Sequence, residues 1–348
     1  SLYHNFFYDF LIPNSRYYMS TCPQLFPFLN IILNLNTILK DMNKIINNTC
    51  DYIKYLVHRC IVCVSPTIEI NRCFKKTFGR KANLISPKSL IEKIYWMQLH
   101  CDTSDWTLFA DKYKVRDFIE LKGFGKYLPK LYGVWYDPDE IDIDSLPDQF
   151  VLKTNNGCAQ VVIVKNKNDI DWQSVNKNLQ HWLKIPFGFS GYECHYLRIQ
   201  PCVIAEELLS QNEELDTISP ESMIDFKFWC FNGHVESCLV TYGRKKGNLY
   251  IDLYDTSWYR LLDNLKQFGG EVINPTVVIP RPKCLDKMIQ IASNLSKGQP
   301  EMRVDMYLVN DEPVIGELTM SSGYGYFTKE YYDYLGGLVD ESLLLKIK

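Results

Sequence analysis

The chain lacks a dominant charge of either sign. Its 38 Lys and Arg nearly balance 41 Asp and Glu, leaving a net charge of −3. Composition therefore gives no case for a nucleic-acid partner, nor for attachment to a membrane by electrostatics alone. A long apolar run is also missing: the stretch from Leu25 to Leu39 is broken by Pro27, Asn30, Asn34 and Asn36. It falls short of the roughly 20 apolar residues that a spanning helix needs. No Walker sequence, internal repeat or low-complexity block occurs. No second cysteine pair or histidine set stands at zinc spacing from the pair Cys60 and Cys63. No secretory signal is recognisable. The twelve scattered cysteines then suggest a reducing compartment. The expectation is a cytoplasmic protein, with the inner membrane face as a place of work. Cys60 and Cys63, in an apolar setting, are expected to be core thiols.

What is present is aromatic and globular. The 348 residues are 46% hydrophobic and 14% aromatic, with 23 Tyr, enough for one large domain or two to three small ones. Residues 1–41 are poor in charge and rich in Phe, Tyr, Leu and Asn, and Met42 resembles an ordinary start. They are expected to be an extension outside the main fold, with a peripheral packed helix as the alternative. A helical region is expected over 42–104, with helices over 43–64 and 66–80 and a third beginning after Pro87. Residues 105–348 would form the main domain.

A further helix is expected from Asp105 to Leu121. Strands and helices then mix: strands over 131–136 and 202–209, helices over 171–183 and 285–295, and three hairpins. One hairpin turns at Asn232 and Gly233, a strong short turn signal. This is an α+β pattern rather than strict βαβ alternation.

The other two hairpins carry chemistry. In Gln149-Phe-Val-Leu-Lys-Thr-Asn-Asn-Gly-Cys-Ala-Gln160, an apolar strand ends in Lys153 and a loop of small residues follows. A lysine unpaired in an apolar strand is costly unless it reaches the strand end. Backbone N–H groups of a small-residue loop can cradle phosphate. In the second, Arg303-Val-Asp-Met-Tyr-Leu-Val returns as Val314-Ile-Gly-Glu-Leu-Thr319. Asp305 and Glu317 on paired strands suit Mg²⁺, which takes one or two carboxylates plus substrate phosphates. Arg303, two residues from Asp305, could instead hold it in a salt bridge. Glu206 and Glu207 end an apolar strand and point to opposite faces, either for an adenine amine or merely for water.

Taken in order, these segments resemble the ATP-grasp enzymes, and more narrowly the TupA-like ATP-grasp family of teichuronopeptide and surface-polysaccharide synthesis. The resemblance rests on Ser86-Pro-Lys-Ser-Leu-Ile-Glu-Lys-Ile-Tyr-Trp96, Ala110-Asp-Lys-Tyr-Lys-Val-Arg116, Leu131-Tyr-Gly-Val-Trp135, Leu146-Pro-Asp-Gln-Phe-Val-Leu-Lys153, Phe226-Lys-Phe-Trp-Cys-Phe-Asn-Gly233 and Gly316-Glu-Leu-Thr319. It implies two α+β subdomains clasping ATP. By that resemblance Lys112 and Lys153 are phosphate lysines, and Asn155, Asn156 and Gly157 open the loop over the triphosphate. Glu206, Glu207 and Leu208 form the adenine hinge. Asp305, Glu317 and Thr319 hold Mg²⁺, with Mn²⁺ as a substitute. Arg303, Lys153 and Lys227 serve the reacting groups, and Glu193, His195 and Tyr196 face substrate, with Glu193 and His195 on one face if that segment is extended. Two departures stand out. The loop has few glycines, and Thr319 replaces the Asn of many relatives.

The implied activity is a carboxylate–amine ligation through an acyl phosphate, joining an amino acid or amine to a sugar acid of a capsule or similar polysaccharide. The alternatives are a kinase acting on a glycan or small-molecule hydroxyl, and a weakly catalytic nucleotide-binding partner of glycan-assembly enzymes. Cys158 and Cys194 have no activating neighbour in sequence, so thiol catalysis is not expected.

Overall fold

The computed structural model describes residues 50–344, apart from 246–247, 268–270 and 324. The extension over 1–41, and the start of the helix expected at 43, lie outside the described residues. The chain divides into two compact units, Ser1–Lys54 and Tyr55–Lys348. Only residues 50–54 of the first are described, and they are helical.

Among the described residues the second unit holds two sheets, the smaller antiparallel and the larger mixed. The smaller has the order β1-β4-β2-β3, from β1 (Leu131–Trp135), β2 (Phe150–Thr154), β3 (Val161–Val164) and β4 (Val203–Glu206). The larger has the order β10-β9-β5-β6-β7-β8. Its strands are β5 (Asp225–Phe231), β6 (His234–Lys245), β7 (Asn248–Asp255), β8 (Glu271–Ile273), β9 (Met302–Val309) and β10 (Glu312–Thr319). Among the described strand pairs only β7–β8 is parallel.

Alternation decides what each face does. On the small sheet Phe150, Leu152, Val164, Val203 and Ala205 turn to a core that includes Leu179 of the amphipathic helix Trp172–Lys184. Lys153, Val161 and Ile204 are register partners on the opposite face, and so are Val151, Ile163 and Glu206. On the large sheet Phe226, Phe228, Val304, Met306 and Leu318 join Met288, Ile291 and Leu295 of the helix Leu285–Ser296 in the main core. Polar residues occupy the other face of β5, β9 and β10. Both faces of β5 and most of β9 are buried, but they differ in polarity, so a slip of one residue would put their charges into the apolar core.

The turns follow local chemistry. Asn232 and Gly233 both have positive φ, 46° and 84°. So do Asn310 and Asp311, 52° and 61°, in a two-residue turn between Val309 and Glu312. Both fit the type I′ geometry that matches strand twist. Pro313 lies in β10, which is an edge strand where its missing N–H is tolerated.

Three sequence expectations change. The helix expected over 105–121 is two short helices, Ser104–Ala110 and Val115–Leu121. Asp111 breaks it, because Asp111 Oδ1 accepts from the N–H groups of Tyr113 and Lys114 and turns the backbone. The strand expected over 202–209 stops at Glu206, and the N–H of Glu207 pairs instead with the carbonyl of Lys130. Cys60 and Cys63 are exposed rather than buried, since their helical stretch turns them outward.

Candidate active site

Three strands line up the charges. Lys227 on β5 faces Asp305 on β9, which faces Glu317 on β10. One step along, Trp229, Arg303 and Thr319 form a parallel row. Between Ile315 and Glu317 the register shifts, which bends the edge strand and re-aims Glu317. Gly316 permits the bulge, because a Cβ there would lie 2.8 Å from the Tyr307 ring.

The row is a dense ion network. Arg303 grips both oxygens of Asp305, with Nε at 2.6 Å and Nη2 at 2.7 Å. Nη2 also donates to Thr319 Oγ1 at 3.1 Å, and the guanidinium lies 5.5 Å from the Trp229 ring centroid. Lys227 Nζ is 2.6 Å from Asp305 and also bonds Asp225. Burial pushes the Asp305 carboxyl up, but Arg303 and Lys227 outweigh it and hold the pKa below the usual range. Burial wins at Asp225, whose pKa is raised despite Lys227. The salt bridge between Arg303 and Asp305 is therefore present, and in this state the guanidinium is committed to Asp305 and Thr319. Asp225 was not singled out from sequence, although its spacing of two from Lys227 repeats that of Arg303 and Asp305.

The small sheet presents a second cationic group. Lys153 Nζ lies 2.5 Å from Glu206 Oε2, and Arg116 Nη1 lies 3.1 Å from Glu206 Oε1. Glu206 is 5% exposed. On the same face Val161 and Ile163 are 44% and 57% exposed, an apolar strip beside Lys153 and Glu206. Glu207 is exposed and Leu208 half-buried, both just beyond β4.

After β2 the chain turns sharply. Thr154 Oγ1 donates to Gln160 Oε1 at 2.5 Å and the Thr154 N–H bonds the Gln160 carbonyl. A Cβ at Gly157 would meet Gln160 Oε1 at 2.0 Å, so a larger residue there would displace the Gln160 side chain from Thr154. Ala159 adopts φ 58°, a left-handed conformation that costs an L-residue roughly 1–2 kcal/mol. The scarcity of glycine is thus felt as strain at Ala159. Asn155 serves the scaffold. Its side chain bonds Asp111 Oδ1, the Gln200 carbonyl and the Cys202 N–H. Its own N–H and carbonyl go to Cys202 and Lys112. The polar groups of Asn155 are thus engaged within the scaffold. Asn156 differs: it is 3% exposed and its Oδ1 has no partner among the described residues.

Lys112 joins the two sheets. Placed by the Asp111 turn, its Nζ bonds the Gly157 carbonyl at 2.9 Å and Glu317 Oε1 at 3.2 Å. Burial raises the Glu317 pKa, but Lys112 and Arg303 draw it below the ordinary value against Asp305. Lys112 thus spans the loop of one sheet and a carboxylate of the other.

Residues 188–198 form turns, not a strand. Glu193 and His195 therefore do not share an extended face. Glu193 Oε1 accepts from Ser321 Oγ at 2.6 Å, two residues past Thr319. Burial pushes its pKa up to about 7, with Glu317 adding to the rise and Ser321 and Arg303 opposing it. His195 is buried between the Trp106 and Tyr196 rings, centroids 5.6 and 4.5 Å away. Burial and Arg198 lower its pKa to about 3, so it is neutral and faces the core. This corrects the reading of His195 as an acid–base group. Tyr196 is 7% exposed, and burial, Glu317 and Glu193 raise its hydroxyl well above the usual range. Burial also raises the Cys194 thiol to about 11, which disfavours its thiolate.

The residues fit a magnesium nucleotide. Among the described residues no three His, Cys, Asp or Glu converge on one point, so a protein-only cage is absent there. Two register-paired carboxylates completed by phosphate oxygens are a usual Mg²⁺ set. Thr319 fits less well, because its hydroxyl oxygen already accepts from Arg303. No described helix is long and apolar enough to cross a membrane.

The geometry can be set beside known proteins. The family model for TupA-like ATPgrasp matches residues 92–340. No curated protein matches. Among solved structures, the chain is similar to D-alanine–D-alanine ligase from Bacillus anthracis, complexed with ATP. Identity is 12%, coverage 70% of this chain and 69% of that one, and the TM-score 0.42. It is similar to phosphoribosylamine–glycine ligase from Thermotoga maritima at 13% identity, 63% and 49% coverage and TM-score 0.37. It is also similar to the ATP-grasp ligase PsnB complexed with a minimal precursor, at 11% identity, 62% and 53% coverage and TM-score 0.34. The chain spans about half the length of these last two. Since the family model covers well over half of the sequence, in the order that the residue pattern implied, this chain belongs to the TupA-like ATP-grasp family.

Proposed function

We propose that the protein is an ATP-dependent carboxylate–amine ligase that acts through an acyl phosphate. The observation that carries this reading is Lys112, held between the Gly157 carbonyl of the small-sheet loop and Glu317 of the large sheet. In this structure the lysines Lys112, Lys153 and Lys227 rest on the carboxylates Glu317, Glu206 and Asp305. Phosphates would take over these cations, and the carboxylates released would be free for a metal. Asp305 and Glu317 would hold Mg²⁺, or Mn²⁺, whose charge helps neutralise the transferred phosphoryl group.

The small-sheet face supplies the base site. Val161 and Ile163 offer an apolar wall, with Glu206, Glu207 and Leu208 at its rim. Asn156 and Gly157 belong to the loop that would cover phosphate, offering backbone N–H groups to it. A carboxylate oxygen of the substrate attacks the γ-phosphorus and ADP leaves. The amine then attacks the acyl carbon, inorganic phosphate departs, and a nearby base takes the amine proton. Glu193 is suited to that step, because its pKa of about 7 lets it hold and lose a proton near neutrality. Tyr196 is placed beside it, and Arg303 would turn from Asp305 to the reacting groups. The closed loop would keep water from the acyl phosphate.

Family membership supports a sugar acid of a surface polysaccharide as the carboxylate and an amino acid or amine as the acceptor. It supports cytoplasmic work, at the membrane's inner face and beside glycan-assembly enzymes. The test supplies a heavy-oxygen-labelled sugar acid with ATP and an amine panel. Ligation through an acyl phosphate delivers label to inorganic phosphate and leaves an amide. A phosphorylated acceptor without released phosphate would establish a kinase instead.

A further inference from the structure

Outside the matched segment, one carboxylate is wholly enclosed. Glu69, on the helix Pro66–Phe78, has no exposed surface. Arg72 reaches it with Nε at 2.9 Å and Nη2 at 2.6 Å, and His58 Nδ1 lies 3.1 Å away. A further donor comes from 122 residues along the chain: the backbone N–H of Gly191, at 3.1 Å. Burial alone would push Glu69 up. Arg72, the Gly191 N–H and His58 outweigh it and draw the pKa down to about 2, so the group is an anion.

The Gly191 contact joins two regions with different work. Gly188 and Gly191 have φ of 118° and 77°, and the Glu193 N–H closes back on the Gly188 carbonyl at 2.8 Å. This turn is conformationally special, and a Cβ at Gly188 would lie 2.5 Å from the Glu193 carbonyl oxygen. Tyr55 packs edge-on against Phe189 with centroids 5.6 Å apart. The N-terminal helices therefore grip the turn from one side. On its other side Glu193 reaches Ser321 beside the metal carboxylates.

We propose that Glu69 is a positioning residue for the acceptor. Through the Gly191 N–H it fixes the turn that aims Glu193 at the amine. The proposal rests on the reading of Glu193 as the group facing the acceptor. Arg72, which donates to both oxygens, would by itself satisfy a carboxylate whose only task was to stabilise its helix. The bond to Gly191 adds nothing to that helix and immobilises the turn. Acceptor selection in this chain thus depends on a residue outside 92–340.

Hydrogen exchange of the peptide over 187–196 tests the contact in Glu69→Ala and Arg72→Gln. The first removes the acceptor oxygen. The second removes the ion pair and leaves the oxygen in place. Glu69→Ala is expected to speed exchange at Gly191 by about tenfold or more, and Arg72→Gln to leave it near wild type. The affinity for a fluorescent ATP analogue with Mg²⁺ should stay within about twofold in both. With the carboxylate–amine pair that most stimulates ADP release from wild type, Glu69→Ala should raise KM for the amine and leave KM for ATP unchanged. Glu69→Gln, which keeps an oxygen for Gly191, should restore both the protection and the KM. If Glu69→Ala does not fold, Glu69→Asp takes its place, because its shorter side chain withdraws the oxygen. Unchanged protection in the oxygen-less variant, or equal loss in Arg72→Gln, would overturn the proposal. Failure of wild type to bind the analogue would instead overturn the ATP reading, and is read separately.

Discussion

Glu206 separates a nucleotide-site acid from an ordinary strand-end acid. It is 5% exposed and is shared by Lys153 at 2.5 Å and Arg116 at 3.1 Å. Glu206→Gln keeps the shape and removes the charge, leaving two cations without it. Removing one partner of a buried ion pair costs about 3–5 kcal/mol. Arg116 keeps a bond to the Pro129 carbonyl at 2.7 Å, and the Lys153 side chain is 16% exposed, so the lower end applies. A loss of about 3 kcal/mol corresponds to a fall in Tm of roughly 4 °C in a chain of this size. The assay is thermal unfolding with and without saturating Mg-ATP. Phosphate should replace the lost carboxylate at Lys153, so the gap between variant and wild type should narrow when nucleotide is present. A loss below about 1 kcal/mol, as for an exposed acid, would refute the reasoning. So would a gap that Mg-ATP leaves unchanged.

Other outcomes follow from the same network. Lys227→Met leaves Asp225 and Asp305 buried against each other, and urea unfolding should show a loss on the order of 3–5 kcal/mol. Adding Asp225→Asn should recover part of it. Thr319→Asn supplies an amide oxygen beside Glu317, and a Mg²⁺ titration of ADP release should reach half-maximum at lower metal. Burial raises Glu193 and Glu301 from 4.5 to about 7 and about 8. The unfolded chain releases these protons first, so both groups withdraw stability as pH rises from 4.5 through those values. Glu301→Gln should flatten the upper part of that decline in Tm.

Much of the site was legible because the chemistry sits on regular strands. A spacing of two in Arg303 and Asp305, and in Glu317 and Thr319, places each pair on one sheet face. The Asn232–Gly233 turn fixed β5 against β6, and Lys153 betrayed itself as a charge in an apolar strand. Other features depend on contacts distant in sequence. Nothing local marks Asn155 as a strut, because its partners Asp111, Gln200 and Cys202 come from separate segments. The break at Asp111 arises from its side chain competing for backbone N–H groups, which helical periodicity does not register. His195 reads as functional from its neighbours, and only the fold shows it enclosed by Trp106 and Tyr196. The strands β7 and β8 were not singled out, and β8 has only three residues.

The central claim is that Lys112, in the turn between two short helices, and Lys153, near the end of β2, close together on the phosphates of ATP. Equilibrium binding of a fluorescent ATP analogue with Mg²⁺ to wild type, Lys112→Met and Lys153→Met tests it directly. A charge-assisted contact is worth about 1.5–3 kcal/mol, so each variant should bind roughly tenfold to a hundredfold more weakly than a saturable wild type. Absence of saturable binding in wild type, or affinities unchanged in both variants, would contradict the account.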